Sequence, residues 1–277
     1  MRRTRIAQHV WGWIAILLTA VVFLVPFAFT IVQSMKNQHD SSELNFSWPT
    51  QFQLFSNIAT VFAARDHMLV RALVNSAIVT VASVTVMVLF AAMIGWVIAR
   101  RATRLGKVMS FLVLAGLIVP PAVVPTIWVL QRLHLFKTIP GLVLIEVAYG
   151  MAFCILLFRA FVSTIPRELD EAAILDGAGP VRLFFQVAFP LLRSVIVTAI
   201  VIQSVVVFND FANPLYFLPG SNNATVQITL FNFQSQFLTS YHLLFTDILL
   251  ITIPPLVMYI FFNRQIVEGM TSGAIKG

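Results

Sequence analysis

Six runs of about twenty apolar residues restrict what this 277-residue chain can fold into more than any other feature. They cover about 11–33, 73–99, 108–130, 140–162, 191–218 and 242–263. A helix satisfies its backbone donors and acceptors internally, so runs of this length are expected to cross a bilayer as helices. Composition agrees: 59% of residues are hydrophobic and 10% charged, against roughly 45–50% apolar in a soluble domain. The expected fold is all-α, a polytopic membrane protein forming a single transmembrane domain over 1–277. Its outer loops are expected at about 34–72 and 219–241, and a long inner loop at about 163–190.

Charge sets the orientation. Arg2, Arg3, Arg5, Arg100, Arg101, Arg104, Lys107, Arg159, Arg167, Arg182, Arg193, Arg264 and Lys276 fall on one side, and only Lys36, Arg65, Arg71, Arg132 and Lys137 on the other. The richer side is expected in the cytoplasm, with both termini. The apolar stretch after MRRTR is longer than a secretory h-region and has no A-x-A-like site, so an uncleaved first span is expected. Trp11, Trp13, Trp96 and Trp128 fall near predicted span ends, as interfacial aromatics would. The net charge of +7 lies at span ends rather than in a basic patch interleaved with aromatics, which favours a lipid bilayer as partner and no nucleic acid.

Several chemistries are excluded. Cys154 is the only cysteine, so disulfides, CxxC redox chemistry and Cys-rich zinc sites are ruled out, and no metal site is expected. There is no G-x-x-x-x-G-K-[ST], H-E-x-x-H or G-x-S-x-G, and the 5 histidines are scattered. No catalytic residues are expected in this chain.

The stretch PRELDEAAILDGAGPVRLFFQVAFP lies in the predicted inner loop between the fourth and fifth runs. Pro166 suits a first helical turn with Thr164 as cap, and Glu168, Asp170 and Glu171 would sit near the positive end of the helix dipole. Leu169, Ala172 and Ala173 form a small apolar stripe; Gly177 and Gly179 interrupt the helix, and Pro180 can start another. An amphipathic helix lying on the membrane is the competing reading, but its acidic face would be repelled by anionic lipid.

Glu171-Ala172-Ala173, then Gly177, then Val187-Ala188-Phe189-Pro190 resembles the EAA loop of permease subunits in binding-protein-dependent ABC importers. That pattern is EAA, three residues, Gly, nine residues, then I-x-LP; here Val replaces Ile and Phe replaces Leu. The segments IPRELDEAAILDGAG, FNDFANPLYFL and RQIVEGMTSGAIKG are similar to carbohydrate-importer permeases of the maltose type, with weaker matches at LVNSAIVT and KTIPGLVL. The resemblance implies a six-span permease subunit in a bacterial inner membrane, with the loop as a coupling helix docked in a cytoplasmic ATPase. Glu171 would pair with a basic residue there, Ala172 and Ala173 would permit close approach, Gly177 would make the bend, and Asp176 and Pro190 complete the set. It implies as partners a second homologous permease, two ABC ATPase subunits and an extracytoplasmic solute-binding protein. ATP and magnesium would reside on the ATPases, with no cofactor on this chain. It also implies that Asn222, Asn223, Asn232 and Gln234, in the segment 219–241, contact the binding protein; a loop covering helix ends is the plain alternative. The tail GMTSGAIKG would reach the ATPase interface or be a disordered end.

Polar residues within the apolar runs mark candidates for the pore or the partner permease: Asn75, Glu146, Gln203, Asn209, Asp210, Asn213 and Asp247. At about 1.5 Å per residue the three acids lie roughly 10 Å below the outer surface, which suggests an outer vestibule. Gln203, Asp210 and Pro214 would share one face of a continuous fifth helix, with Asn209 turned toward a neighbouring helix. The favoured reading of Glu146 and Asp247 is structural, paired with Lys137, Arg132 or a partner chain; tuning for an amino-bearing sugar is the sharper alternative. Pro120, Pro121, Pro125, Pro254 and Pro255 should kink their helices, and Ala91 with Gly95 could admit a close helix contact. An ion-coupled secondary transporter, or an ABC permease for a non-sugar solute, remains the alternative function.

Overall fold

The computed structural model describes the backbone of residues 2–101, 103–234 and 239–272, and the side chains of 12–101, 103–234 and 239–263. The order is α1 (Arg2–Ser34), α2 (Gln38–Ser42), α3 (Leu54–Arg100), α4 (Arg104–Ile118), α5 (Val123–Arg132), α6 (Ile139–Val162) and α7 (Glu168–Leu175). Then come α8 (Pro180–Arg182), a π-helix (Leu183–Ala188), α9 (Phe189–Leu191), α10 (Arg193–Phe208), α11 (Ala212–Phe217), α12 (Val226–Thr229), a 3-10 turn (Leu230–Phe233) and α13 (Tyr241–Ser272). Among the described residues, β structure is limited to an isolated bridge between Gln234 and Thr239.

Four helices, Gly12–Ser34, Leu54–Arg100, Ile139–Val162 and Tyr241–Asn263, are long and apolar enough to cross a membrane, and the number reaches 6 if each of two bent pairs is one span. The chain is thus an all-α polytopic membrane protein. The first bend lies within the third run, where its prolines were expected to kink the helix, and the second lies where the inner loop enters the fifth run, just after Pro190. Arg104–Ile118 and Val123–Arg132 meet at 115°, because Pro120 and Pro121 lack N–H donors and the residue before a proline avoids the helical region. Pro180–Leu191 and Arg193–Phe208 meet at 75°. The fifth run also stops at Phe208 and restarts at Ala212, so Asp210 lies in a break and not on a continuous helical face. Pro254 and Pro255, by contrast, remain inside α13.

The chain forms two compact units, Met1–Val70 with Thr229–Ile253, and Arg71–Ile228 with Pro254–Gly277. In the first, the segment after α1 is tied by buried polar groups. Lys36 Nζ donates to the Asn45 carbonyl at 2.8 Å and to Asn45 Oδ1 at 2.9 Å, while Asn57 Nδ2 donates to the carbonyls of Ser34 and Lys36, each at 2.9 Å. Phe29 packs edge-on against Phe245 at 5.4 Å. α3 is interrupted by non-helical residues Ala64 to His67, three of them at positive φ.

The second unit holds the main core, from Val79, Met87 and Ala91 on α3 through Cys154, Ile155 and Phe158 on α6 to Ala188, Val195 and Ala199. Lipid supplies no hydrophobic drive between helices, so close packing must hold them together, and small residues permit it. Gly95 does this for α3 and α6: a Cβ there would lie 2.8 Å from Phe158 Cβ and 2.9 Å from the Arg159 backbone nitrogen. Cys154 is a buried free thiol in that core. Trp96 is also buried, packed at 5.8 Å on Phe184, and does not belong to an interfacial belt. Trp13 and Trp128 are exposed; the Trp11 side chain lies outside the described residues.

Candidate functional site

The inner-loop stretch folds as a short acidic helix followed by a second, irregular one. α7 has Glu168, Asp170 and Glu171 in its first turn, where the helix dipole favours negative charge. The anticipated cap differs, since Thr164 Oγ1 donates to the Phe161 carbonyl at 2.8 Å and α7 begins only after Arg167. Gly177, at φ +81°, takes the left-handed turn that ends α7. Gly179 then precedes Pro180, the first residue of α8. Pro190 cannot donate to Gln186, and the wider π-register lies immediately before it, where the Phe189 amide donates to the Phe184 carbonyl.

α7 divides its residues sharply. Asp170 and Ala173, three apart and so on one face, turn inward: Asp170 is buried and Ala173 packs against the core. Glu171, Ala172, Asp176, Gly177 and Pro190 are exposed. Leu169, Ile174 and Leu175 are exposed as well, Leu175 at 87%. The expected small apolar stripe is divided, with Leu169 and Ala172 exposed and Ala173 turned to the core rather than left free for a partner. Leu169, Ile174 and Leu175 form an apolar rim around Glu171. The inward face meets Arg100, the last residue of α3. Its Nη1 donates to the Ile165 carbonyl at 3.0 Å, its Nη2 to the Pro166 carbonyl at 3.4 Å, and its Nε lies 2.6 Å from Asp170 Oδ2. The last contact is an ion pair by distance, with the N–H directed off the hydrogen-bond axis. In the sequence Arg100 carries only an orientation charge; the available signal is the spacing of Asp170 and Ala173, three apart on one helical face.

The intramembrane candidates separate into two groups. Glu146, Gln203, Asp210 and Asn213 line one cavity of about 470 Å³ in the second unit, with Tyr149, Gly150, Phe153, Ile202, Val206 and Val207. Glu146 is 5% exposed, accepts a hydrogen bond from Asn213 Nδ2 at 3.2 Å and approaches Asp210. Asp210 Oδ1 accepts from the Ala212 amide at 2.9 Å, closing the break before α11. Pairing of Glu146 with Lys137 or Arg132 is not found; Lys137 lies over the Phe136 ring at 5.7 Å. Asp247 belongs to the first unit, is fully buried and accepts from Thr229 Oγ1 at 2.8 Å. Asp247 thus belongs to a different unit from Glu146 and Asp210. Asn209 bonds its own helix at the Val205 carbonyl and accepts from Gln227. Tyr149, one turn after Glu146, carried no signal in the sequence beyond that spacing.

The outer candidates mostly hold loops. Asn75 Nδ2 donates to the Ala224 carbonyl at 3.1 Å and to that of Asn222 at 3.5 Å, and Asn223 Nδ2 donates to the Lys137 carbonyl at 3.2 Å. Asn222 and Gln234 are exposed, while Asn232 Nδ2 donates to Met68 Sδ at 3.4 Å. Residues 235–238 and the tail from 273 onward lie outside the described residues. Among the described residues no group of three or more His, Cys, Asp or Glu is placed to hold a metal ion.

Comparison with known proteins assigns this architecture. The chain is 30% identical over 264 residues to the melibiose/raffinose/stachyose import permease protein MelC of Bacillus subtilis, covering 94% of each. It is 28% identical over 265 residues to the diacetylchitobiose uptake system permease protein NgcG of Streptomyces coelicolor, covering 94% of this chain and 87% of that one. Its fold matches, at a TM-score of 0.82 and 18% identity over 95% of this chain and 98% of the other, a chain in the crystal structure of a bacterial ABC transporter involved in the import of the acidic polysaccharide alginate. Residues 88–271 match the family of binding-protein-dependent transport system inner membrane components, and the chain belongs to that family.

Proposed function

We propose that this chain is the permease subunit of an ATP-driven carbohydrate importer in a bacterial inner membrane, crossing it six times with both termini in the cytoplasm. It forms half of a translocation pore with a second permease. The observation that carries this reading is the exposed acidic face of α7, in a chain aligned over 94% of its length with permeases named for saccharide import. An acidic helix ringed by Leu169, Ile174 and Leu175 is poorly suited to anionic lipid and well suited to a cleft bearing a basic residue. ATP closes the pair of partner ATPase subunits, their clefts move α7, and the bundle rocks against the second permease so that the pore opens outward to a solute-binding protein loaded with sugar. Such a switch requires contacts that differ between the two states.

The test is co-purification followed by uptake. The chain should retain ATPase subunits in detergent and, in proteoliposomes with its partners and binding protein, should accumulate raffinose, melibiose or diacetylchitobiose only with ATP. Glu171→Lys should hydrolyse ATP without uptake. Full uptake by that variant would remove Glu171 from the coupling set, and ATP-independent uptake by the purified chain alone would overturn the reading.

A further inference from the structure

We propose that Arg100 is a positioning residue for coupling: its guanidinium clamps α7 and the 163–167 linker to the inner end of α3, so that motion received by α7 moves α3 rather than flexing the linker. This rests on the transport reading above and adds a residue that no part of the EAA pattern contains.

α7 has 8 residues, too few to be a stable helix without tertiary support. Its covalent connection to α6 is a turn in which the Thr164 and Ile165 amides reach back to the Phe161 and Val162 carbonyls and Pro166 has no donor. Such a linker can fold under load. Arg100 spans the weak point, binding the Ile165 and Pro166 carbonyls and the Asp170 carboxylate with one rigid planar group. The Arg100 and Asp170 side chains are only 11% and 12% exposed, so water screens the pair less than a surface pair.

The placement also suits the backbone. Arg100 is a cation in the last turn of α3, and Asp170 an anion in the first turn of α7. Each helix dipole favours the charge it carries, and the clamp joins the negative end of one helix to the positive end of the other. About one turn before Arg100, Gly95 seats α3 directly on the α6 backbone. Trp96 meets Phe184 of the π-helix, a second contact from the same stretch of α3 to the far arm of the loop. The adjacent acids thus separate: Asp170 faces inward to the transmission, while Glu171 is left for the partner.

The experiment uses the assembled complex in proteoliposomes and measures sugar accumulated per ATP hydrolysed, taking whichever of raffinose, melibiose or diacetylchitobiose the unaltered complex accumulates. Arg100→Gln should lower that ratio about 5-fold or more, with hydrolysis falling less than uptake. Arg100→Lys, which keeps the charge but loses the fork, should fall between. Asp170→Asn added to Arg100→Gln should cost little further, because the two act as a unit. An unchanged ratio, uptake and hydrolysis falling in parallel with the amount of assembled complex, or fully additive effects would each overturn the proposal. Amide exchange over 163–176 in the purified chain needs no transport and separates this failure from failure of the transport reading. Arg100→Gln should speed it about tenfold at unchanged thermal stability, and unchanged exchange overturns the clamp itself.

Discussion

Gly95→Ala isolates the close contact between α3 and α6. Two effects oppose each other. Alanine is the better helix former by about 1 kcal/mol. Against this, the new Cβ would stand 2.8 Å from Phe158 Cβ, 2.9 Å from the Arg159 nitrogen and 3.2 Å from the Ile155 carbonyl oxygen. Carbon atoms prefer about 3.5–4.0 Å, so α6 would have to retreat by roughly 0.7 Å. All three neighbours are backbone or the first side-chain atom, which move only with the helix, so the expected penalty is the about 1–3 kcal/mol of an overpacked core. Gly116→Ala is the control, because its nearest neighbour would be Ala152 Cβ at an ordinary 3.5 Å. The propensity gain is common to both variants and the collision is not. Both are compared with the unaltered chain by intrinsic fluorescence melting in one detergent at one scan rate. Gly116→Ala should melt at or above the unaltered chain. Gly95→Ala should melt lower than Gly116→Ala by about 2–4 °C for each kcal/mol of collision. Equal melting temperatures for the two variants would refute the close approach.

Leu175→Asp, at the exposed tip of α7, should abolish co-purification of ATPase subunits while the melting temperature shifts by less than about 0.5 kcal/mol equivalent; retained co-purification would remove the apolar rim from the docking surface. Asn75→Ala removes the donor to the Ala224 carbonyl and should cost about 0.5–1.5 kcal/mol, read as faster amide exchange over 222–226. Asp40 accepts from the Thr50 hydroxyl at 2.6 Å and amide at 3.0 Å, and these bonds hold its carboxyl below the usual carboxylate range. A depressed carboxylate stabilises above its unfolded pKa and loses that contribution as pH falls through the folded value. Protection of the Thr50 amide should therefore be constant near neutrality and drop only in acid, and Asp40→Asn should remove the drop.

Element existence was legible because it rests on local chemistry. Apolar runs of bilayer length need only count residues, and Gly177, Gly179 and Pro180 punctuate the inner loop by backbone preference alone. The severity of each proline kink was not legible. Pro120 with Pro121 produced a sharp bend, yet Pro254 and Pro255 stayed within one helix. A proline specifies a missing donor, and whether the helix then breaks depends on neighbours that a single chain's pattern does not describe. The same limit hid the buried side of α7. Its acids looked equivalent as dipole complements, and only the approach of Arg100 distinguishes Asp170 from Glu171. Trp96 was misplaced for a similar reason, since a tryptophan near a span end suits an interface equally well as a neighbouring aromatic.

The break at residues 209–211 changes how the intramembrane acids must be read. An interrupted helix leaves amides without intrahelical partners, and irregular backbone at membrane depth is tolerated where it is met by protein or lines a cavity. Asp210 meets that need at the Ala212 amide, and the turn it stabilises is the one that carries Asn213 to Glu146. A carboxylate holding a helix start is required whatever the solute, so loss of transport in Asp210→Ala would say nothing about recognition. Glu146 differs. It is the other acid on the cavity, it caps no helix, and besides approaching Asp210 it accepts from Asn213, a contact that a glutamine carbonyl can still accept. Glu146→Gln therefore removes one carboxyl of the Glu146–Asp210 pair while keeping the bond from Asn213, and competition among neutral, amino-bearing and acidic saccharides in that variant reads what that carboxyl contributes. A preference identical to that of the unaltered complex would assign Glu146 to packing against Asn213.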